Sequence, residues 1–157
     1  MKEATTHVGM DVHKKDIVVS LLPPGCERTE DWTVPHTVRS VDRLIGKLKR
    51  EAGEELECAY EAGPCGYALQ RRFQSQGVLC RVIAPSLIPL RPGDRIKTDR
   101  RDARKLAGLL RAGLLTEVHP PTSEEESLRD LCRCREDLKG NLLRARHRLS
   151  KMLLRRG

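Results

Sequence analysis

His7-Val8-Gly9-Met10-Asp11-Val12-His13-Lys14-Lys15-Asp16-Ile17-Val18-Val19 is the stretch on which the fold turns. Val8, Met10 and Val12 alternate with Gly9, Asp11 and His13, the period-2 pattern of a half-buried strand. His13-Lys14-Lys15-Asp16 is short and polar, as a hairpin connection requires, and Ile17-Val18-Val19 opens a second apolar run. Pro23-Pro24-Gly25 closes that run, and Trp32-Thr33-Val34 reads as a third strand with a break at Pro35. The first strand carries a carboxylate, Asp11, between the apolar neighbours Met10 and Val12, and a charge in that place demands a partner.

Beyond this meander the period changes. Val41, Leu44, Ile45 and Leu48 lie at i, i+3, i+4 and i+7, the face of an amphipathic helix, with Ser40 as the expected cap and Gly53 as the expected stop. Residues 56–60 form a short apolar strand ending at Glu61. The turn Gly63-Pro64-Cys65-Gly66 leads into a helix over 67–76 that Gly77 ends, and residues 78–84 form another strand. The prolines between 85 and 95 mark a loop, and a helix starts near Thr98 or Asp99 with Ala103, Leu106, Ala107 and Leu110 on one face. Val118 is expected in a short strand before His119-Pro120-Pro121-Thr122-Ser123, which reads as a linker. The order is strand, strand, strand, helix, strand, helix, strand, helix, which predicts a mixed sheet with helices on its faces, an α/β domain over 1–118.

A long basic helix is expected over 124–157. Leu128, Arg135, Leu142 and Leu149 fall at heptad position a, and Leu131, Leu138, Ala145 and Met152 at d, so the helix is coiled-coil-like with one polar residue on its seam. Such a stripe must be covered, which predicts self-association through this helix, with packing back on its own domain as the alternative.

Composition narrows the function classes. One Trp, two Tyr and one Phe leave few rings for stacking bases, which argues against an RRM or a single-strand-binding module. The net charge of +8 favours a polyanionic partner. Residues 95–111 hold Arg95, Lys97, Arg100, Arg101, Arg104, Lys105 and Arg111 against only Asp99 and Asp102, and 133–157 is also basic. No apolar run reaches membrane-spanning length, and Met1-Lys2-Glu3-Ala4-Thr5-Thr6 has no apolar signal core, so a reducing, cytoplasmic compartment is expected. The six cysteines are then expected as free thiols, and Cys132-Arg133-Cys134 does not have zinc-knuckle spacing.

The element order is, by analogy, that of an RNase H-like domain, and such a sheet would bring four carboxylates together: Asp11 in a strand, Glu61 at a strand end, and Asp99 with Asp102 three apart in a first helical turn. Phosphodiester cleavage by paired cations needs hard oxygen ligands, and Mg²⁺ prefers carboxylates, water and phosphate oxygens. Clustered without a cation, these acids would repel and raise one another's pKa.

At these residues the chain resembles a known family. The blocks 7–15, Tyr60-Glu61-Ala62-Gly63-Pro64-Cys65-Gly66-Tyr67 and Lys97-Thr98-Asp99-Arg100-Arg101-Asp102-Ala103-Arg104-Lys105-Leu106-Ala107 look like the three blocks of the insertion-sequence transposases with an N-terminal DEDD catalytic domain. That family includes the pilin-gene invertases and the transposases guided by a bridge RNA. Residues 128–157 resemble the helical stretch that follows the domain.

The resemblance implies a RuvC-like, RNase H-like fold with Asp11, Glu61, Asp99 and Asp102 as catalytic ligands of Mg²⁺ or Mn²⁺. It implies a recombinase that cleaves and transfers DNA strands by phosphoryl transfer, with DNA and a structured, bridge-type RNA as partners. Lys14, Lys97, Arg100, Arg101 and Arg104 are the expected nucleic-acid contacts. Family members continue into a second domain bearing a serine nucleophile. None of Ser20, Ser40, Ser75, Ser86, Ser123, Ser127 and Ser150 matches such a motif, so that domain is expected to be absent from this chain. A stand-alone RuvC-like structure-specific nuclease, or a catalytically inactive nucleic-acid-binding fragment, are the alternative readings.

Overall fold

The computed structural model describes residues 5–52, 55–89 and 98–157. Along the chain run β1 (Thr5–Val12), β2 (Asp16–Leu22), β3 (Glu30–Pro35), α1 (Val38–Glu51), β4 (Glu55–Glu61), α2 (Ala68–Ser75), β5 (Leu79–Ile83), a 3-10 turn (Pro85–Leu87), α3 (Asp99–Arg111) and α4 (Ser123–Leu154). This is the element order that the hydrophobic periodicity predicts.

One mixed sheet forms, in the order β3-β2-β1-β4-β5. The connections after β1 and β2 contain no helix, so these strands turn back and pair antiparallel, with Val12 opposite Ile17 and Val19 opposite Trp32. The longer connections through α1 and α2 let β4 run parallel to β1 and β5 parallel to β4, with Met10 beside Tyr60 and Tyr60 beside Val82. A mixed five-stranded sheet of this order with flanking helices is an α/β RNase H-like fold, as the sequence leads one to expect.

Strand alternation divides the core into two layers. Val8, Met10, Ile17, Val19, Cys58, Tyr60, Cys80 and Val82 pack with Val41, Leu44, Ile45 and Leu48 of α1 and with Leu69 and Phe73 of α2. On the opposite face Ala59 and Ile83 pack with Leu106 and Leu110 of α3. The helical stripe 41/44/45/48 is thus buried against one sheet face, as its spacing requires. Fully burying each such aliphatic side chain contributes about 1.5–3 kcal/mol.

Helix ends refine the reading. The α1 cap is Thr37, not Ser40: Thr37 is the last extended residue after Pro35 ends β3, and its hydroxyl oxygen accepts the Ser40 N–H. Ala52 closes α1, and Gly53 lies outside the described residues. Thr98 caps α3 by accepting the Arg101 N–H, and Thr122 forms a capping box with Glu125 at the start of α4. Near Val118 there is an isolated bridge, Ile83 to Glu117, instead of a strand, and the Ala84 and Val118 N–H groups donate to Thr116 and Val82.

The chain divides into two compact units, Met1–His119 and Pro120–Gly157. The second is essentially α4, none of whose side chains is buried; Leu128, Leu131, Leu138, Leu142 and Leu149 are exposed. All six cysteines are free thiols. Among the described residues no helix is long and apolar enough to cross a membrane.

Candidate active site

Ligand sites in open α/β sheets lie beyond the carboxyl ends of the parallel strands. Asp11 is the penultimate residue of β1 and Glu61 is the last of β4. The parallel register pairs Met10 with Tyr60, so Asp11 and Glu61 follow side by side. Met10 and Tyr60 face α1 and α2, so alternation sends Asp11 and Glu61 to the α3 face. Tyr60 also fixes the turn after Glu61, its hydroxyl donating to the Gly66 carbonyl at 3.1 Å.

Gly9 is what lets α3 reach this strand end. A Cβ placed on Gly9 would lie 2.1 Å from the Ala103 carbonyl oxygen and 2.5 Å from the Ala107 nitrogen. The helix backbone therefore rests directly on β1, two residues before Asp11, and its first turn carries Asp99 and Asp102.

Three donor atoms meet there. His13 Nε2 stands 3.2 Å from Asp11 Oδ2 and 3.6 Å from Asp99 Oδ2, and one ligand atom from each of Asp11, His13 and Asp99 lies within 4.8 Å of the others. Burial pushes the Asp11 carboxyl above its ordinary pKa; the charge of His13 and its hydrogen bond pull it down, and the charges of Asp99 and Asp102 push it up again. Asp11 side-chain exposure is 23% and that of Asp99 is 63%, so the site is open to a large ligand. Asp102, three residues beyond Asp99 and half-buried, acts on Asp11 through charge, while neither it nor Glu61 belongs to the close trio.

The donor set fits a divalent cation. Two carboxylates and an imidazole, with a further acid from β4 and another from α3, offer it ligand atoms, and a cation would offset the like-charge repulsion felt by Asp11.

The expected nucleic-acid contacts fall in different places. Lys14 is exposed at the β1–β2 turn, and Arg100 and Arg101 are exposed on the first turn of α3. Lys97 lies outside the described residues. Arg104 is held from within: its Nε donates to Asp31 Oδ2 at 2.6 Å and its terminal nitrogen pairs with the same oxygen. Asp31 also accepts from Ser20 Oγ at 2.8 Å and Thr29 Oγ1 at 3.0 Å. Burial alone would raise the Asp31 pKa, but hydrogen bonds from Arg104, Ser20 and Thr29 and the charge of Arg104 outweigh it and hold the carboxyl below its ordinary value. This ion pair ties the β2–β3 hairpin to α3.

Two residues escape a reading of the sequence as four acids plus a basic patch. His13 had a signal: at i+2 from Asp11, strand alternation directs it to the same side. Asp31 had none, since its partner is 73 residues away.

Comparison with known proteins identifies the family. Residues 8–156 match the family DEDD_Tnp_IS110, described as transposase. The "Transposase for insertion sequence element IS1533" of Leptospira borgpetersenii is 42% identical over 152 residues, which cover 96% of this chain and 44% of that protein. "Putative transposase y4qE" of Sinorhizobium fredii (strain NBRC 101917 / NGR234) is 49% identical over 152 residues, covering 96% of this chain and 39% of that protein. The chain thus spans less than half the length of these relatives. Because the family match runs over nearly its whole length, the chain belongs to the IS110-type family of DEDD transposases.

Proposed function

We propose that this chain is the DNA-cleaving domain of a transposase, with Asp11, Glu61, Asp99 and Asp102 as ligands of Mg²⁺ or Mn²⁺. The observation that carries the reading is the meeting of Asp11 and Asp99 carboxylate oxygens within 4.8 Å at the carboxyl end of β1, with Glu61 beside Asp11 in register. When bound, such a cation supplies Lewis-acid stabilisation of charge on phosphate oxygens and lowers the pKa of a hydroxyl nucleophile.

The chain's own residues orient that chemistry. Asp11 and Glu61 are held by two hydrogen-bonded parallel strands, and Asp99 and Asp102 by one helical turn. Gly9 and the Asp31–Arg104 pair keep that turn against the sheet. Lys14, Arg100 and Arg101, with Lys97, draw the phosphodiester backbone toward the acids, which alone would repel it. A second partner is a structured guide RNA, for which the charge of +8 is suited. The apolar stripe of α4 pairs with a second copy of the chain, holding two DNA partners together. An enzyme with these substrates acts in the prokaryotic cytosol or nucleoid.

Nicking of branched DNA in Mg²⁺ tests the reading. It should vanish on chelation and in Asp11→Asn. Nicking that survives either treatment would overturn it.

A further inference from the structure

Resting on that metal-site reading, we infer that His13 is a direct ligand of the cation, through Nε2, and turns the preference of the site from Mg²⁺ toward Mn²⁺. The four acids alone make an all-oxygen site, and oxygen is what Mg²⁺ favours. An imidazole nitrogen in the set favours a transition ion.

The geometry points to His13 more directly than to two of the acids. Its Nε2 lies between two carboxylates, 3.2 Å from Asp11 Oδ2 and 3.6 Å from Asp99 Oδ2. Donors at right angles around an ion with bonds of about 2.1 Å stand about 3 Å apart, so these separations, the shorter of which is also that of a hydrogen bond, are close enough for all three groups to share one ion. Glu61 and Asp102 do not come within the same limit.

The backbone under His13 is fixed in place. His13 N–H donates to the Asp16 carbonyl at 2.9 Å, closing the hairpin turn. From the segment after β3, His36 Nδ1–H donates to the His13 carbonyl at 2.6 Å, and His36 N–H donates to the Lys15 carbonyl at 2.8 Å. The β3–α1 connection thus clamps the turn that presents the imidazole, which holds the backbone of His13 in place.

Pulsed EPR of Mn²⁺ bound to the full chain tests this, because a directly bonded imidazole imprints ¹⁴N modulation on the manganese signal. Wild type should show that modulation, and ¹⁵N-histidine labelling should change it without any substitution. His13→Ala and His13→Gln should lose it, with Mn²⁺ affinity falling about tenfold or more and Mg²⁺ affinity falling less. Mn²⁺ bound at the acids without ¹⁴N modulation, or with modulation that persists in both variants, would overturn the role of His13 alone. A wild-type chain that binds no Mn²⁺ would overturn the acid site together with it.

Discussion

Gly9→Ala is the smallest change that should separate the acids. Its new methyl would lie 2.1 Å from the Ala103 carbonyl oxygen, 2.5 Å from the Ala107 nitrogen and 2.9 Å from the Leu106 Cβ. The first two are helix backbone, which cannot rotate aside as a side chain does. Real Cβ contacts essentially never fall below 3.0 Å, so α3 must retreat from β1 by about 1 Å. Overpacking of this kind costs about 1–3 kcal/mol, and rigid backbone on the receiving side places Gly9→Ala at the upper end. For a domain of this size that lowers Tm by about 10 °C. The same retreat carries Asp99 and Asp102 away from Asp11, so Mn²⁺ affinity should fall in the fraction that remains folded. Gly108→Ala is the control: it lies in the same helix with nothing within 4 Å of its would-be Cβ. It should raise stability by about 0.5–1 kcal/mol through helix propensity. Thermal unfolding by circular dichroism reads both. A Gly9→Ala chain that melts within about 2 °C of wild type would refute the close-approach argument.

Three further outcomes follow from other parts of the molecule. Asp31→Asn should destabilise the chain at neutral pH by about 1–3 kcal/mol, since it weakens the hold on Arg104 and on the fully buried Ser20 hydroxyl. Because the folded-state pKa of Asp31 is depressed, its contribution is complete above the ordinary carboxylate range and is lost as pH falls through the folded value; the gap between wild type and Asp31→Asn in urea melts should therefore close in acid. Removing Arg100 and Arg101 together as alanines should reduce the slope of log K against log salt for duplex DNA by about 0.9 per lost phosphate contact, and an unchanged slope would remove both from the interface. Leu138→Glu with Leu142→Glu should convert an oligomer to a monomer by light scattering, whereas a wild-type chain that is monomeric well above micromolar concentration would contradict pairing through α4.

How much of this was legible in the sequence depends on the range of the interaction. Strands 7–12 and 16–22 show themselves because burial on one face imposes alternation, and α1 because its apolar residues repeat at helical spacing. The four acids could be picked out, but their proximity could not be read from spacing alone. It depends on sheet order, which the pattern does not determine and the family resemblance supplied. The α1 cap falls on Thr37 and not on Ser40: both are hydroxyl residues near the helix start, and the choice turns on where β3 ends. Gly9 reads as a small residue in a strand; that the backbone of α3 lands on it is a long-range fact. Arg104 looks like part of a solvated basic face until Asp31 arrives from the β2–β3 hairpin. The α4 stripe is plain in its heptads, while what would cover it is written in no local pattern.

The central claim is that the acids from β1, β4 and α3 form one metal centre. A crystal of this chain soaked in Mn²⁺, with anomalous scattering collected at the manganese edge, tests it most directly. The account predicts an anomalous peak bonded to Asp11 and Asp99, with Glu61 and Asp102 in or beside its coordination shell. No peak at the end of β1, or manganese bound only at acids elsewhere on the surface, would contradict it.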